Sequence, residues 1–326
     1  MNVASENKNL TGNAPDAAPG HGDTSHGDAS HGGDIGARLM LITLCFIWGT
    51  TWPVMKIALN EISPLSMRAV VSAVGALTLY LLCVIMRRSL RLPSAKAWLH
   101  IVIASLLNIV GFSLFGSFAQ LSASTSRVTI LAYAMPVWSV LLAWPVLGER
   151  PSRVQAFALL LCAAGLSVLV YPLTKSGLPL GIILALATGL SWAAGTVYVK
   201  WARIEADVMA IASWQMTIAF VIITACMFAV EGHLDLSRAR TDGWLATGWT
   251  GVFGNGIAYA LWFPVVRRLS AATASIGVLA VPVIGIIQSF LILREVPTAP
   301  DMIGFALIFT ASACVLLTPH KPAAQS

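Results

Sequence analysis

The chain is predicted to be an all-α integral membrane protein, with ten transmembrane helices arranged as two inverted five-helix repeats. Composition is the first reason. Hydrophobic residues make up 57% of the 326 residues, charged ones only 10%, and the mean hydropathy is +0.80. A soluble domain is roughly half apolar and one-quarter charged. Apolar run length is the second reason, since runs of about 18 residues or more can cross a hydrocarbon core of about 30 Å as helices. The third is internal duplication. Trp48 and Lys56 recur as Trp192 and Lys200 at an offset of 144, and Pro136, Leu147, Glu149 and Pro151 recur as Pro282, Leu293, Glu295 and Pro297 at an offset of 146. Five is an odd number of crossings, so the second copy must enter the bilayer upside down. Such inverted repeats are an architecture by which transporters expose one central site to alternate sides.

The spans are expected at 39–59, 66–86, 99–119, 123–146, 154–171, 179–199, 208–229, 245–264, 272–293 and 300–317. None has the alternating pattern of about ten residues that a membrane barrel requires. The first repeat is expected over 38–173, the second over 174–318, and a short cytoplasmic tail over 319–326. Residues 1–37 are Gly, Ala, Asp, Ser and His with almost no large apolar side chain, which predicts a disordered cytoplasmic tail. They lack the basic start and apolar run of a signal peptide. His21, His26 and His31 recur every five residues beside Asp23, Asp28 and Asp34. A solvated low-complexity tail is preferred over a weak Zn, Ni or Cu site, because nothing rigid fixes the ligand geometry. No metal or other cofactor is expected.

Lys and Arg placement sets the orientation, because short loops rich in them stay cytoplasmic. With the N-terminus inside, inner segments hold thirteen of the twenty basic residues, outer loops hold Lys175, Arg238, Arg240 and Arg294, and Lys56, Arg68 and Arg127 lie within spans. Both termini are therefore expected to be cytoplasmic. The net charge of +6 follows from this topology and from contact with anionic lipid, not from nucleic-acid binding. The five cysteines are scattered one to a span and read as small packing residues.

Three stretches carry a resemblance: Ile47-Trp48-Gly49-Thr50-Thr51-Trp52-Pro53, then Pro136 through Leu147-Gly148-Glu149-Arg150-Pro151, then Pro282 through Leu293-Arg294-Glu295-Val296-Pro297. In order, spacing and duplication they resemble the EamA repeats of the drug/metabolite transporter superfamily, over about residues 39–318. Two positions depart from the pattern: Ala193 replaces the Gly after Trp192, and Arg294 replaces the Gly before Glu295. The resemblance implies a bacterial inner-membrane protein, in a family with many exporters of amino acids and related metabolites. Other members of the superfamily move nucleotide sugars, purines and drugs.

All fourteen acidic residues fall in the tail, in loops or at helix ends. A mid-bilayer carboxylate costs about 2.5 to 3.5 kcal/mol on insertion scales and usually marks a cation site or proton relay. Its absence disfavours a lipophilic-cation substrate. Lys56, Arg68 and Arg127 lie roughly 5 to 8 Å below the outer boundary. They are candidates for a positive vestibule that holds a carboxylate or phosphate. Snorkelling to the interface, with Glu61 as partner, is the competing reading.

A polar and aromatic layer is expected near the midplane, made of Trp48, Asn108, Tyr133, Trp192 and Asn255. Asn108 and Asn255 correspond between the repeats at an offset of 147, and a facing amide pair suits a zwitterion or heteroaromatic ring. Interhelical hydrogen bonding is the alternative role. Gln288 is a further pocket candidate, and Gln215 stands near the place of Arg68 in the second repeat. Pro136 and Pro282 are expected to hinge the gates or shape the pocket by freeing backbone carbonyls. Gly248, Gly251, Gly254 and Gly256 are read as close-packing residues of one helix and not as a nucleotide loop.

No nucleophile with a base, His and Glu pair or carboxylate cluster falls within a span, so the chain is not expected to be an enzyme. The expected partners are a small-molecule substrate and the lipid bilayer. A membrane-embedded sensor or scaffold, or a drug efflux protein, is the alternative reading.

Overall fold

The computed structural model describes residues 27–171, 180–268 and 278–317, and among them every regular element is helical. The helices run as α1 (Gly27–Leu59), α2 (Pro64–Ile85), α3 (Ala95–Ser122), α4 (Thr125–Leu147), α5 (Arg153–Val170), α6 (Leu180–Ala202), α7 (Val208–Val230), α8 (241–268), α9 (Ala280–Leu293) and α10 (Ala299–Leu317). The first seven are long and apolar enough to cross a membrane, while α9 and most of α10 are shorter apolar helices. The α1 helix starts within the stretch expected to be tail. His21, His26, Asp23 and the predicted span residues 272–277 lie outside the described residues.

Local chemistry sets the helix ends. Ser94 accepts the Ala97 N–H at 3.2 Å to start α3, and Asp207 accepts the Met209 N–H at 2.8 Å to start α7. Ser152 and Gln155 form a reciprocal capping box at α5, at 2.8 and 3.2 Å. Gly148 ends α4 in the left-handed conformation with φ 71°. Arg294, the residue that replaces the corresponding glycine, ends α9 in the same conformation with φ 58°.

Small residues then set which helices approach closely. A Cβ on Gly165 of α5 would lie 2.9 Å from Ile308 of α10, and one on Gly304 of α10 would lie 2.4 Å from Leu169. In the same way Gly49 brings α1 against Ile284 of α9, and Gly189 brings α6 within 2.8 Å of the Ala132 carbonyl of α4. Three of the four α8 glycines expected to pack closely do so: Gly251, Gly254 and Gly256 abut Val74, Thr51 and Thr78, while Gly248 has open space around it.

These contacts have a pattern. The pairs α5 with α10 and α2 with α7 map onto themselves when each helix is exchanged with the one five places away. The same exchange turns α1 with α9 into α6 with α4, and α1 with α8 into α6 with α3.

Candidate functional site

Two kinds of backbone irregularity sit at matched places. Residues Leu106–Gly111 of α3 and Thr250–Ile257 of α8 are π-helical, a form that appears mostly as short bulges at functional sites. Asn108 lies in the first and Asn255 in the second. The α4 helix is broken between Thr125–Ala132 and Met135–Leu147, with Tyr133 at the break and Pro136 in the first turn that follows. Helix α9 begins after a turn at Leu279, with Pro282 in its first turn. Each proline thus stands where its missing N–H removes no intrahelical bond. The Tyr133 carbonyl left over at the break accepts from the Ser312 hydroxyl of α10 at 3.3 Å. Ile130, Tyr133, Leu279, Pro282 and Ser312 line a small void where the two breaks meet.

Each asparagine engages α7. Asn108 donates to the Gln215 side-chain oxygen at 3.4 Å, and the Asn255 amide stands 3.9 Å from the Met216 sulfur, on the adjacent residue. Ser105 fixes the same turn by donating to the Gln215 carbonyl at 2.6 Å. The Asn108 side-chain oxygen is buried with no hydrogen-bond partner, and α6 presses on it at Gly195, where a Cβ would lie only 2.2 Å away. A buried unpaired acceptor in a helix bundle costs about 1 to 3 kcal/mol.

Aromatic rings connect the other layer residues. Trp48 donates its indole N–H to the Gly254 carbonyl at 3.2 Å, one residue from Asn255, and packs against Tyr259 and Trp262 at 6.4 and 5.9 Å. Trp52 contacts both Tyr133 and Phe112 edge-on, and Phe112 contacts Trp192 at 5.0 Å. Trp52 and Phe112 were missed by sequence reasoning, although Trp52 lies one helical turn from Trp48. Gln288 is half-buried on α9, beside Ser289, whose buried hydroxyl is unpartnered.

The three cations within spans differ in their partners. Arg127 is ion-paired with Asp301 of α10 through Nε at 2.5 Å and Nη2 at 3.2 Å. Lys56 donates to the Gln120 carbonyl in the last turn of α3, and the Gln120 amide donates to the Trp52 carbonyl at 3.1 Å. Arg68 is buried; it donates from Nε to Ser117 at 2.5 Å and contacts the Met55 sulfur. Among the described residues it has no carboxylate partner.

Carboxylates instead join the two halves of the chain at helix starts. Glu231 accepts the N–H groups of Leu65 and Ser66 at α2, both at 3.0 Å. Glu295 accepts those of Thr125 and Ser126 at α4, at 3.0 and 3.1 Å. Glu61 accepts those of Arg240 and Gly243 at α8, at 2.8 and 3.1 Å. A negative charge at a helix N-terminus is favourable because the first N–H groups have no intrahelical partner. Glu295 had a signal, the repeated Leu-x-Glu-x-Pro. Glu231 had none.

The sequence pattern of the EamA-like transporter family matches twice, over residues 36–171 and 179–317. The chain belongs to that family. Two relatives resemble it along nearly their whole length. YoaV, an uncharacterized transporter of Bacillus subtilis, is 24% identical over 280 residues, 84% of this chain and 94% of its own. YedA, an uncharacterized inner membrane transporter of Escherichia coli strain K12, is 26% identical over 288 residues, 86% of this chain and 92% of its own. One crystal structure superposes with a TM-score of 0.61 at 20% identity, covering 86% of this chain and 96% of that one, which shows likeness of fold alone. The EamA-family chain is thus a multi-pass membrane protein related to transporters.

Proposed function

We propose that this EamA-family chain is an inner-membrane transporter, working as an exporter, that moves small zwitterionic or anionic metabolites such as amino acids by alternating access. The two matched stretches and the exchange pattern of helix contacts support two inverted five-helix repeats, α1 to α5 and α6 to α10. The observation that carries the reading is the matched set of midspan irregularities. Asn108 and Asn255 each stand in a π-helical segment, and Tyr133 and Leu279 each stand at a helix break. Discontinuous helices at the repeat interface are where inverted-repeat transporters hold solute, because unwound backbone is tolerated only beside protein or a wet cavity.

Arg68 supports the anionic part of the substrate. A buried guanidinium without a carboxylate partner gains most from a ligand that brings one. Asn108 and Asn255 supply amides for the polar remainder, and Trp48, Tyr133, Trp192 and Gln288 supply walls. The engagement of Arg127 by Asp301 favours a role in holding α4 and α10 together at the gate.

With the N-terminus cytoplasmic, the contacts of Glu61, Glu231, Glu295 and Asp301 between halves all fall at the outer face. Among the described residues, the inner face carries the surface pairs Lys200 with Glu149 at 2.6 Å and Arg88 with Asp207 at 3.5 Å. The arrangement therefore fits a state closed outside, and the transport cycle would exchange these carboxylate caps for an inner closure, with Pro136 and Pro282 at the hinges.

Proteoliposome uptake of labelled amino acids and organic anions tests the proposal. A responsive solute should be found, and its transport should fall at least about tenfold in Asn108→Ala and Arg68→Gln, the loss of one to two hydrogen bonds in a dry site. Unchanged transport in Asn108→Ala, Asn255→Ala and Arg68→Gln alike would reject the site. Cysteine labelling tests the topology: Asn60 and His233 should react from one side, and Glu205 from the other.

A further inference from the structure

A cleft of about 390 Å³ lies at the end of the bundle where α3 begins and α6 ends, lined by Lys96, His100, Trp201, Ala202 and Arg203. None of these residues belongs to the solute site described above. Lys96 and Arg203 are exposed, and neither has a carboxylate partner among the described residues. Of the neighbouring acids, Glu149 is paired with Lys200 and Asp207 with Arg88, and the exposed Glu205, two residues after Arg203, is not among the lining residues and forms no ion pair with either cation among the described residues. The lining of the cleft therefore carries two cations and no acid.

Its other walls are ordered. His100 is fixed through Nδ1 by the Tyr198 hydroxyl at 2.8 Å, so Nε2 is its free ring nitrogen. The imidazole stands edge-on to Trp201 at 6.0 Å, and Tyr198 lies 5.6 Å from the same indole. Arg203 holds a left-handed backbone, φ 46°, directly after the last turn of α6. That conformation is disfavoured for a residue with a Cβ, and it directs the chain sharply out of the helix beside the cleft. Trp201, which lines the cleft, is 52% exposed and gives it an apolar rim.

Two cations and an imidazole beside an exposed Trp match a phosphodiester that is attached to acyl chains. Free phosphate would satisfy the cations and leave the rim without a role. Tryptophan is enriched at the membrane interface, and the distribution of Lys and Arg puts this end in the cytoplasmic leaflet. Basic pockets between helices on that side bind anionic head groups. We propose that the cleft binds the headgroup of an anionic phospholipid of the phosphatidylglycerol type.

The test is native mass spectrometry of the full chain, delipidated and then offered equimolar phosphatidylglycerol and phosphatidylcholine. The wild-type chain should retain phosphatidylglycerol preferentially. The double variant Lys96→Gln/Arg203→Gln should lose that preference by about thirtyfold, as expected for two basic residues at a charged surface. Arg91→Gln/Arg153→Gln removes the same charge away from the cleft and should keep it. Equal preference in the wild type and the cleft variant would overturn the proposal, as would an equal loss in both double variants. Trp201→Ala should weaken lipid retention, and inorganic phosphate should not displace the lipid. Displacement by phosphate, with Trp201→Ala indistinguishable from wild type, would assign the cleft to a free anion and overturn the lipid reading.

Discussion

The Glu231 carboxylate accepts both the backbone N–H and the hydroxyl of Ser66, at 3.0 and 2.7 Å, across 165 residues of sequence. Ser63 and Leu65 donate to the same side chain, at 2.6 and 3.0 Å, so one carboxylate from the second half closes the first turn of a helix in the first. Glu231→Ala should lower stability by about 2 to 3 kcal/mol, since bonds to a charged acceptor contribute more than neutral ones. Glu231→Gln should lose less, because the amide oxygen still accepts. Thermal unfolding in detergent reads both, and equal melting temperatures for Ala and wild type would remove the cap from the account.

Asn108 and Gly195 should be energetically coupled. A Cβ at 195 would lie 2.2 Å from the Asn108 side-chain oxygen and 2.9 Å from its backbone nitrogen. Gly195→Ala should cost about 1 to 3 kcal/mol by overpacking. In the Asn108→Ala background the cost should be smaller, because the side-chain part of the clash is gone. A double-mutant cycle on unfolding midpoints measures the difference, and strict additivity would contradict the contact.

Arg294 should be replaceable by glycine with a gain. Its φ of 58° is the conformation that Gly148 adopts, at φ 71°, at the corresponding end of α4. A residue with a Cβ is disfavoured there by about 1 to 2 kcal/mol. Arg294→Gly should therefore raise the melting temperature, and Gly148→Ala should lower it. The opposite order would mean that the helix end relaxes in solution.

The two ion pairs with the shortest contacts should differ in weight. Asp301 has a side chain 6% exposed and also accepts from Thr298 at 2.6 and 2.9 Å, whereas Lys200 and Glu149 are 54% and 31% exposed. Asp301→Ala leaves Arg127 without its partner and should cost about 3 kcal/mol or more. Lys200→Ala should cost under about 1 kcal/mol and lose even that in high salt. Unfolding measured at low and high ionic strength separates the two.

Much of the architecture was legible because a membrane span announces itself by length and hydropathy alone. The α2, α5 and α7 helices lie within two residues of their expected bounds. The π-helical segments were not legible. Nothing in Leu-Leu-Asn-Ile-Val-Gly differs in hydropathy from an ordinary helical run, and the added residue per turn is imposed by packing against α6 and α7. The layer of Trp48, Asn108, Tyr133, Trp192 and Asn255 was expected from depth along each span. What depth does not fix is rotation: the two asparagines engage neighbouring residues of α7, an outcome set by helix azimuth.

The sequence by itself determined a helical membrane chain, its duplicated motifs and its family. These follow from local quantities, the apolar length of a segment and the offset between like residues. Only the tertiary structure decided the partners: Asp301 for Arg127, Glu231 for the start of α2, Glu295 for the start of α4, and a serine and a methionine for Arg68. Each joins segments that local pattern does not relate. Hydropathy carries no term for which way a helix faces, whereas a hydrogen bond exists only when two particular faces meet.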